Sequence, residues 1–143
     1  MLIAQILKGK GDDVFTAQPD QTIAEVAAQL TERRFGAAVV CDNDRHVVGI
    51  VSERDIVRVI AQAGEQGLRE PVSQHMTRDV IYAHMGETVD ALLSRMTDRR
   101  IRHLPVCVDD RLAGIVSIGD LVKSKIAEVE AEAEGLKTYI AAG

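Results

Sequence analysis

The sequence has little that would carry it into or across a membrane. No apolar run approaches the ~20 residues that a helix needs to span a bilayer. Met1 to Leu7 lacks the basic start and cleavage region of a signal peptide, so the expected location is the cytoplasm. An excess of positive charge is lacking too: 17 Lys and Arg against 22 Asp and Glu leave a net charge of -5. That balance argues against a general nucleic-acid surface, although Arg33 and Arg34, and Arg99, Arg100 and Arg102, form small basic clusters suited to phosphate. There are only two cysteines, Cys41 and Cys107, and neither belongs to a CxxC motif, which favours buried thiols over a disulfide or redox pair. Aromatic residues make up 3% of a chain that is otherwise ordinary for a globular protein, with 46% hydrophobic and 27% charged residues.

The usual marks of an enzyme are missing as well. The chain shows no nucleophilic triad and no Gly-x-x-x-x-Gly-Lys loop. His46, His75 and His84 form no helix-spaced or thiol-supported set, so they are assigned to the surface and no metal site is expected. The expectation is a protein without catalytic function or catalytic cofactor.

What is present is a duplication. Gly49-Ile50-Val51-Ser52-Glu53-Arg54-Asp55-Ile56-Val57-Arg58 returns as Gly114-Ile115-Val116-Ser117-Ile118-Gly119-Asp120-Leu121-Val122-Lys123, and Thr22 to Cys41 aligns without gaps on Thr88 to Cys107. A unit of some ~65 residues buries little surface alone, so the two halves are expected to pack on each other.

Each half has the same hydrophobic rhythm. Ile23, Val26, Ala27 and Leu30 mark one face of a helix that Thr22 and Glu25 start as a capping box, and Val89, Leu92, Leu93 and Met96 repeat the spacing. Two apolar runs joined by a polar turn follow in each half (Ala37 to Cys41 onward, and Leu104 to Val108 onward), and a second helix closes the unit. The β-favouring segments Asp13 to Thr16 and Asp79 to Tyr82 precede the first helices, so the unit reads strand, helix, strand, strand, helix. Gly64 to Glu70 reads as a linker, Pro71 as the start of a short turn reaching Met76, and Leu2 to Leu7 as a short helix. The last helix can run on through Val122, Ile126, Val129, Ala133, Leu136 and Ile140, a narrow apolar seam that suits a partner or a fold back onto its own domain, with Gly135 weakening the helix's continuity.

Ser52 with Asp55, and Ser117 with Asp120, place a hydroxyl and a carboxylate at the start of a helix. Free N–H groups there favour phosphate, and an ionised aspartate suits the two hydroxyls of a ribose. The same spacing is also a capping box, and the residues alone leave both readings open.

Together the residues Val14 to Asp20, Thr22, Gly36 to Val40, Gly49 to Asp55, Met76 to Val80, Arg99 to Val106 and Gly114 to Asp120 resemble the CBS domain, named after cystathionine β-synthase, and specifically a stand-alone bacterial tandem pair. The resemblance implies an α+β fold: two βαββα repeats packed with pseudo-twofold symmetry, divided at 1–70 and 71–143, plus the extended C-terminal helix. It also implies a homodimer and an adenosine ligand (AMP, ATP, NAD(H) or S-adenosylmethionine) in the clefts between repeats, serving energy sensing and signal transduction toward an unidentified regulated protein. By the same resemblance Asp55 and Asp120 hold ribose, and Ser52 and Ser117 meet phosphate. The base lies against backbone of Thr16, Ala17, Gly36, Ala37 and Ala38 in one cleft, and of Tyr82, Ala83, Arg102, His103, Leu104 and Pro105 in the other. Arg54, Glu53 and Ile118 flank these sites, and Lys10 is a further candidate for phosphate. Because Gly36-Ala37 stands where the second repeat has Arg102-His103, the clefts are expected to differ. Arg102 and His103 would reach phosphates, or else Arg102 is solvated and His103 packs in its strand, and Gly36 and Ala37 would leave room for a dinucleotide. The alternative expectation is a structural or interaction protein with vestigial clefts, acting through its dimer and terminal helix.

Overall fold

Residues 1–11 and 14–142 are described by a computed structural model of the chain. The order of elements is α1 (Ile3–Lys10), β1 (Thr16–Ala17), α2 (Ile23–Arg33), β2 (Ala37–Cys41), β3 (Val47–Ser52), α3 (Glu53–Leu68), a 3-10 turn (Val72–Gln74), α4 (Val89–Arg99), β4 (His103–Val108), β5 (Arg111–Ser117) and α5 (Ile118–Ala142). This is the α+β fold of two βαββα units with an added C-terminal helix. Among the described residues no helix is long and apolar enough to cross a membrane.

Equivalent sequences make equivalent joints. Thr22 and Thr88 each accept a hydrogen bond from the N–H three residues on, that of Glu25 or Ala91, at 3.1 Å. The helices they start end alike, with Arg34 and Arg100 left-handed (φ 60° and 55°) and the next N–H, of Phe35 or Ile101, donating back to Leu30 or Met96 at 3.0 Å. Thr22 thus supplies its half of the expected capping box.

Strand β1 pairs in parallel with β2, which pairs antiparallel with β3. In the second repeat β4 and β5 pair antiparallel, but the strand expected at Asp79 to Tyr82 does not form; only Ala83 bridges Val106. The cause is a proline. In the first repeat the Val39 N–H donates to Phe15 O at 3.0 Å. Pro105 holds the equivalent position and has no N–H to give, so the pairing begins two residues later, with Ala83 donating to Pro105 O and accepting from Cys107. Asp13, the first residue of the other expected strand segment, lies outside the described residues.

The expected linker is also corrected. Helical residues continue to Leu68, broken at Gly64 (φ 58°, ψ -140°), and Gly67 is buried against Val59 and Ala63.

The segments that precede the repeats trade places. Ile3 and Leu7 of α1 are buried with Leu92, Met96, Leu104, Val116 and Leu121 in the core of the second repeat. Val72 and Met76, which lead into the second repeat, are buried with Ile23, Val26, Leu30 and Val51 in the core of the first. The repeated glycines make room for this exchange. A Cβ on Gly49 would collide with the Met76 side chain and lie 3.0 Å from Thr77 O, while one on Gly114 would lie 3.0 Å from Leu7. A third cluster, Val39, Cys41, Leu112 and Ile115, joins the two sheets. Both cysteines are free, Cys41 buried and Cys107 half-buried, and burial pushes both thiols up.

Candidate functional site

Each hairpin ends where a helix begins, and both serine–aspartate pairs act as caps. Asp55 accepts from the Ser52 N–H (2.8 Å) and hydroxyl (3.1 Å), and its own N–H donates to Ser52 Oγ at 3.3 Å. In the second repeat the Ser117 N–H donates to Asp120 Oδ2 at 2.9 Å and the Asp120 N–H to Ser117 Oγ at 3.1 Å. Capping leaves lone pairs on both carboxylates for further donors.

The two carboxylates differ in their remaining partner. Asp55 is buried, and its Oδ1 meets the Arg58 guanidinium at 3.0 Å on its own helix. Asp120 meets a residue from far away: the Lys10 ammonium, at the end of α1, donates to Asp120 Oδ2 at 2.6 Å and to Ile115 O at 2.9 Å. Burial works to raise the Asp120 carboxyl, but Lys10 and Ser117 outweigh it and hold the group below the usual carboxylate range.

A cavity of about 400 Å³ opens beside Asp55. Its walls bring together Gly36, Ser52, Glu53, Arg54, Asp55, Arg102, His103, Ser117 and Ile118 of the candidates named above. Two helices, α3 and α5, therefore begin on it, each contributing the positive end of its dipole. Four more residues line it that were not among those candidates: Ile50, Thr77, Arg100 and Ile101. Two of these carried a signal, since Arg100 belongs to a basic cluster and Thr77 to the motif that precedes the second repeat. With Arg54, Arg100 and Arg102 against Glu53 and Asp55, the cavity suits an anionic ligand that also carries hydroxyl groups.

The other candidates lie elsewhere. Ala17, Ala37, Ala38, Ala83, Leu104 and Pro105 are buried, Thr16 is exposed on β1, and Lys10 and Asp120 bond to each other outside the cavity wall. Tyr82 lines a separate cavity of about 620 Å³ with His46, Val47, His84, Cys107, Asp109 and Asp110.

Part of the room expected beside Gly36 is taken. His103 Nε2 and Cε1 stand 3.1 and 3.3 Å from where a Gly36 Cβ would be, so the missing side chain of one repeat accommodates the imidazole of the other. Burial, and then the Arg102 charge, hold His103 below its ordinary value, with Glu53 opposing them. The surface assignment holds for His46 and His84, but His75 is half-buried, its Nε2 lacking a hydrogen-bond partner among the described residues. His46 joins Asp42 and Asp44 in an exposed turn, where Asp42 accepts from both of their N–H groups at 2.9 Å.

Two βαββα units with a polar cleft at the starts of their closing helices define a class of paired module. The chain belongs to the CBS domain family, whose model matches residues 10–62 and 72–126. It is 38% identical over 112 residues to an uncharacterized 17.7 kDa protein of Acidianus ambivalens, covering 78% of this chain and 66% of that protein. It is 32% identical over 149 residues to the mitochondrial CBS domain-containing protein CBSX3 of Arabidopsis thaliana, covering 99% of this chain and 72% of the relative. Among solved structures, the CBS-domain containing protein ATU1752 of Agrobacterium tumefaciens superposes with a TM-score of 0.85 at 43% identity, covering 87% of this chain and 99% of that one. The CBS domain pair of MJ0100, solved with 5-methylthioadenosine and S-adenosyl-L-methionine, gives 0.80 at 29% identity, over 90% and 98% of the two chains. The CBS domain protein PAE2072 of Pyrobaculum aerophilum, complexed with AMP, gives 0.74 at 28%, over 84% and 89%. Similar proteins thus occur in archaea, plants and bacteria alike.

Proposed function

We propose that this protein is a non-enzymatic regulatory module that binds an adenosine nucleotide in the cleft beside Asp55 and adjusts a partner protein in trans. The observation that carries the reading is the convergence of two helix N-termini, three arginines and one buried carboxylate on a cavity of about 400 Å³. Asp55 accepts from ribose hydroxyls, the Ser52 hydroxyl turns from Asp55 to donate to phosphate as Ser117 does, and Arg54, Arg100 and Arg102 balance its charge. The complexes of PAE2072 with AMP and of MJ0100 with two phosphate-free adenosine compounds support an adenosine moiety, and that with AMP a phosphate beside it. AMP, ATP and NAD(H) are the ligands to test first, although the His103 ring at Gly36 leaves less space for a dinucleotide than the sequence suggests.

Residues 1–70 and 71–143 act as the two functional halves. Because each core holds a segment from the other half, a ligand that favours one arrangement of the repeats would be felt throughout the pair. The module works in the cytoplasm as a homodimer, without nucleic acid or membrane. The exposed seam of α5 favours a second reading, an interaction protein whose clefts are vestigial.

A thermal-unfolding panel separates the two. At ~100 times its dissociation constant, the right nucleotide should add about 2.7 kcal/mol of stability, a shift of several degrees for a chain of this size. A selective shift with an adenosine nucleotide and none with GTP supports sensing. No shift with any adenosine compound, from protein freed of copurified nucleotide, supports the interaction protein.

A further inference from the structure

Only the beginning of α5 is occupied by its own domain. Leu121 and Ser124 are buried, and Glu128 reaches the N-terminal amine at 3.8 Å. About a third of a turn around the helix, Val122, Ile126, Val129, Leu136 and Ile140 are 42–67% exposed, with Ala133 exposed among them. The helix runs unbroken past Gly135, which lies away from this stripe, and the CBS match ends at residue 126. Most of the stripe is therefore an addition to the family fold.

The spacing assigns Ile126, Ala133 and Ile140 to position a of a heptad, and Val122, Val129 and Leu136 to position d. The flanking positions then specify both the partner and its direction. Position e holds Lys123, Glu130 and Lys137, and position g holds Lys125, Glu132 and Tyr139. If a second copy lies parallel and in register, g faces the e residue five places on in the other chain: Lys125 meets Glu130 and Glu132 meets Lys137, each twice by symmetry. If it lies antiparallel with the same seam matched, Glu130 meets Glu130, Glu132 meets Glu132 and Lys123 meets Lys137. One direction makes only opposite-charge pairs and the other makes three kinds of like-charge pair.

We propose that α5 is a homotypic docking surface on which a second copy of this chain pairs as a parallel two-stranded coiled coil, in register from Val122 to Ile140. Lys125 already lies 3.0 Å from Asp90, but that pair is exposed and contributes little, so Lys125 remains able to reach Glu130 of a second copy. The seam spans roughly 28 Å. So short a coil is marginal as a free peptide, and here the anchored first turns supply its nucleus. The inference does not depend on whether the clefts bind nucleotide.

Sedimentation equilibrium on the full chain tests it through the sign of a charge effect on an exposed side chain. Lys137→Glu should weaken the dimer about tenfold, and Glu132→Lys combined with Lys137→Glu should restore it. In an antiparallel pair Lys137→Glu would instead relieve the contact with Lys123 and tighten the dimer, overturning the proposal. Ile126→Asp should give a monomer whose circular dichroism loses no more than the helix signal of the exposed part of α5. Ala133→Cys should form a disulfide-linked dimer under mild oxidation, because an in-register parallel seam brings residue 133 against itself. A monomeric wild-type chain, or a dimer indifferent to both Lys137→Glu and Ile126→Asp, would also overturn it.

Discussion

The two clefts descend from one unit, yet the one beside Asp55 is open and the one beside Asp120 is bridged. In the first, the carboxylate's outer partner is Arg58, three residues along the same helix, and a cavity lies in front of it. In the second, Lys10 spans Asp120 and the Ile115 carbonyl, so an ammonium stands where the first cleft would receive a ligand's hydroxyl groups. Duplication copied the cap, but one carboxylate turns to Arg58 within the copied motif and the other to Lys10 outside it. The lesson is that two identical serine–aspartate signatures need not be two equal sites.

The largest expected effect comes from removing the carboxylates one at a time. Asp55→Ala should abolish the nucleotide-dependent shift in melting temperature, a loss of about 2.7 kcal/mol at ~100-fold saturation, and should cost about 1 kcal/mol without ligand for the lost cap. Asp120→Ala should lose a comparable cap but keep the shift. If both variants lose it equally, the two clefts are equivalent sites.

A second contrast concerns the crossing segments. Gly49→Ala should cost about 1–3 kcal/mol in a denaturant titration, because the added methyl meets both the Met76 side chain and the Thr77 carbonyl. Gly114→Ala should cost less, as only the mobile end of Leu7 must give way. Equal costs would mean that the two exchanged segments are held equally tightly.

The smallest effect is the bridge itself. Lys10→Met should change stability at neutral pH by about 1 kcal/mol or less, since the pair is partly exposed. Its signature is in the pH dependence. Asp120 is held below its unfolded value, so its contribution is present above that value and is lost as pH falls through the lower, folded one. Without Lys10 the acid limb should flatten. Titration calorimetry with AMP should also move from one site toward two if Lys10 keeps the second cleft closed, and a stoichiometry unchanged by Lys10→Met would assign it a purely structural role.

Much of this was legible in the residues. The duplication, the helix starts at Thr22 and Thr88, the hairpins and the cap signatures follow from local spacing, and local spacing is enough to specify a capped helix or a two-stranded turn. Pro105 was legible in principle. It stands where Val39 gives its N–H to the first strand, yet the β-favouring run from Asp79 to Tyr82 suggested a strand because propensity says nothing of the partner's donors. The basic residues Arg100 and Arg102 were visible as a cluster, but only Arg102 was placed at a site, because the left-handed turn at Arg100 that brings it to the cavity lies in the backbone.

The sequence by itself determined that this chain is two copies of a βαββα unit, where each helix starts, and that a heptad seam runs along the last one, because these depend on periodicity and on neighbours within a few residues. Only the tertiary structure decided that α1 belongs to the second core and Met76 to the first, that His103 fills the space left by Gly36, and that Lys10 bridges one of two matching aspartates. The last of these joins residues 110 positions apart. Their existence depends on how two similar surfaces settle against each other, which no local pattern encodes.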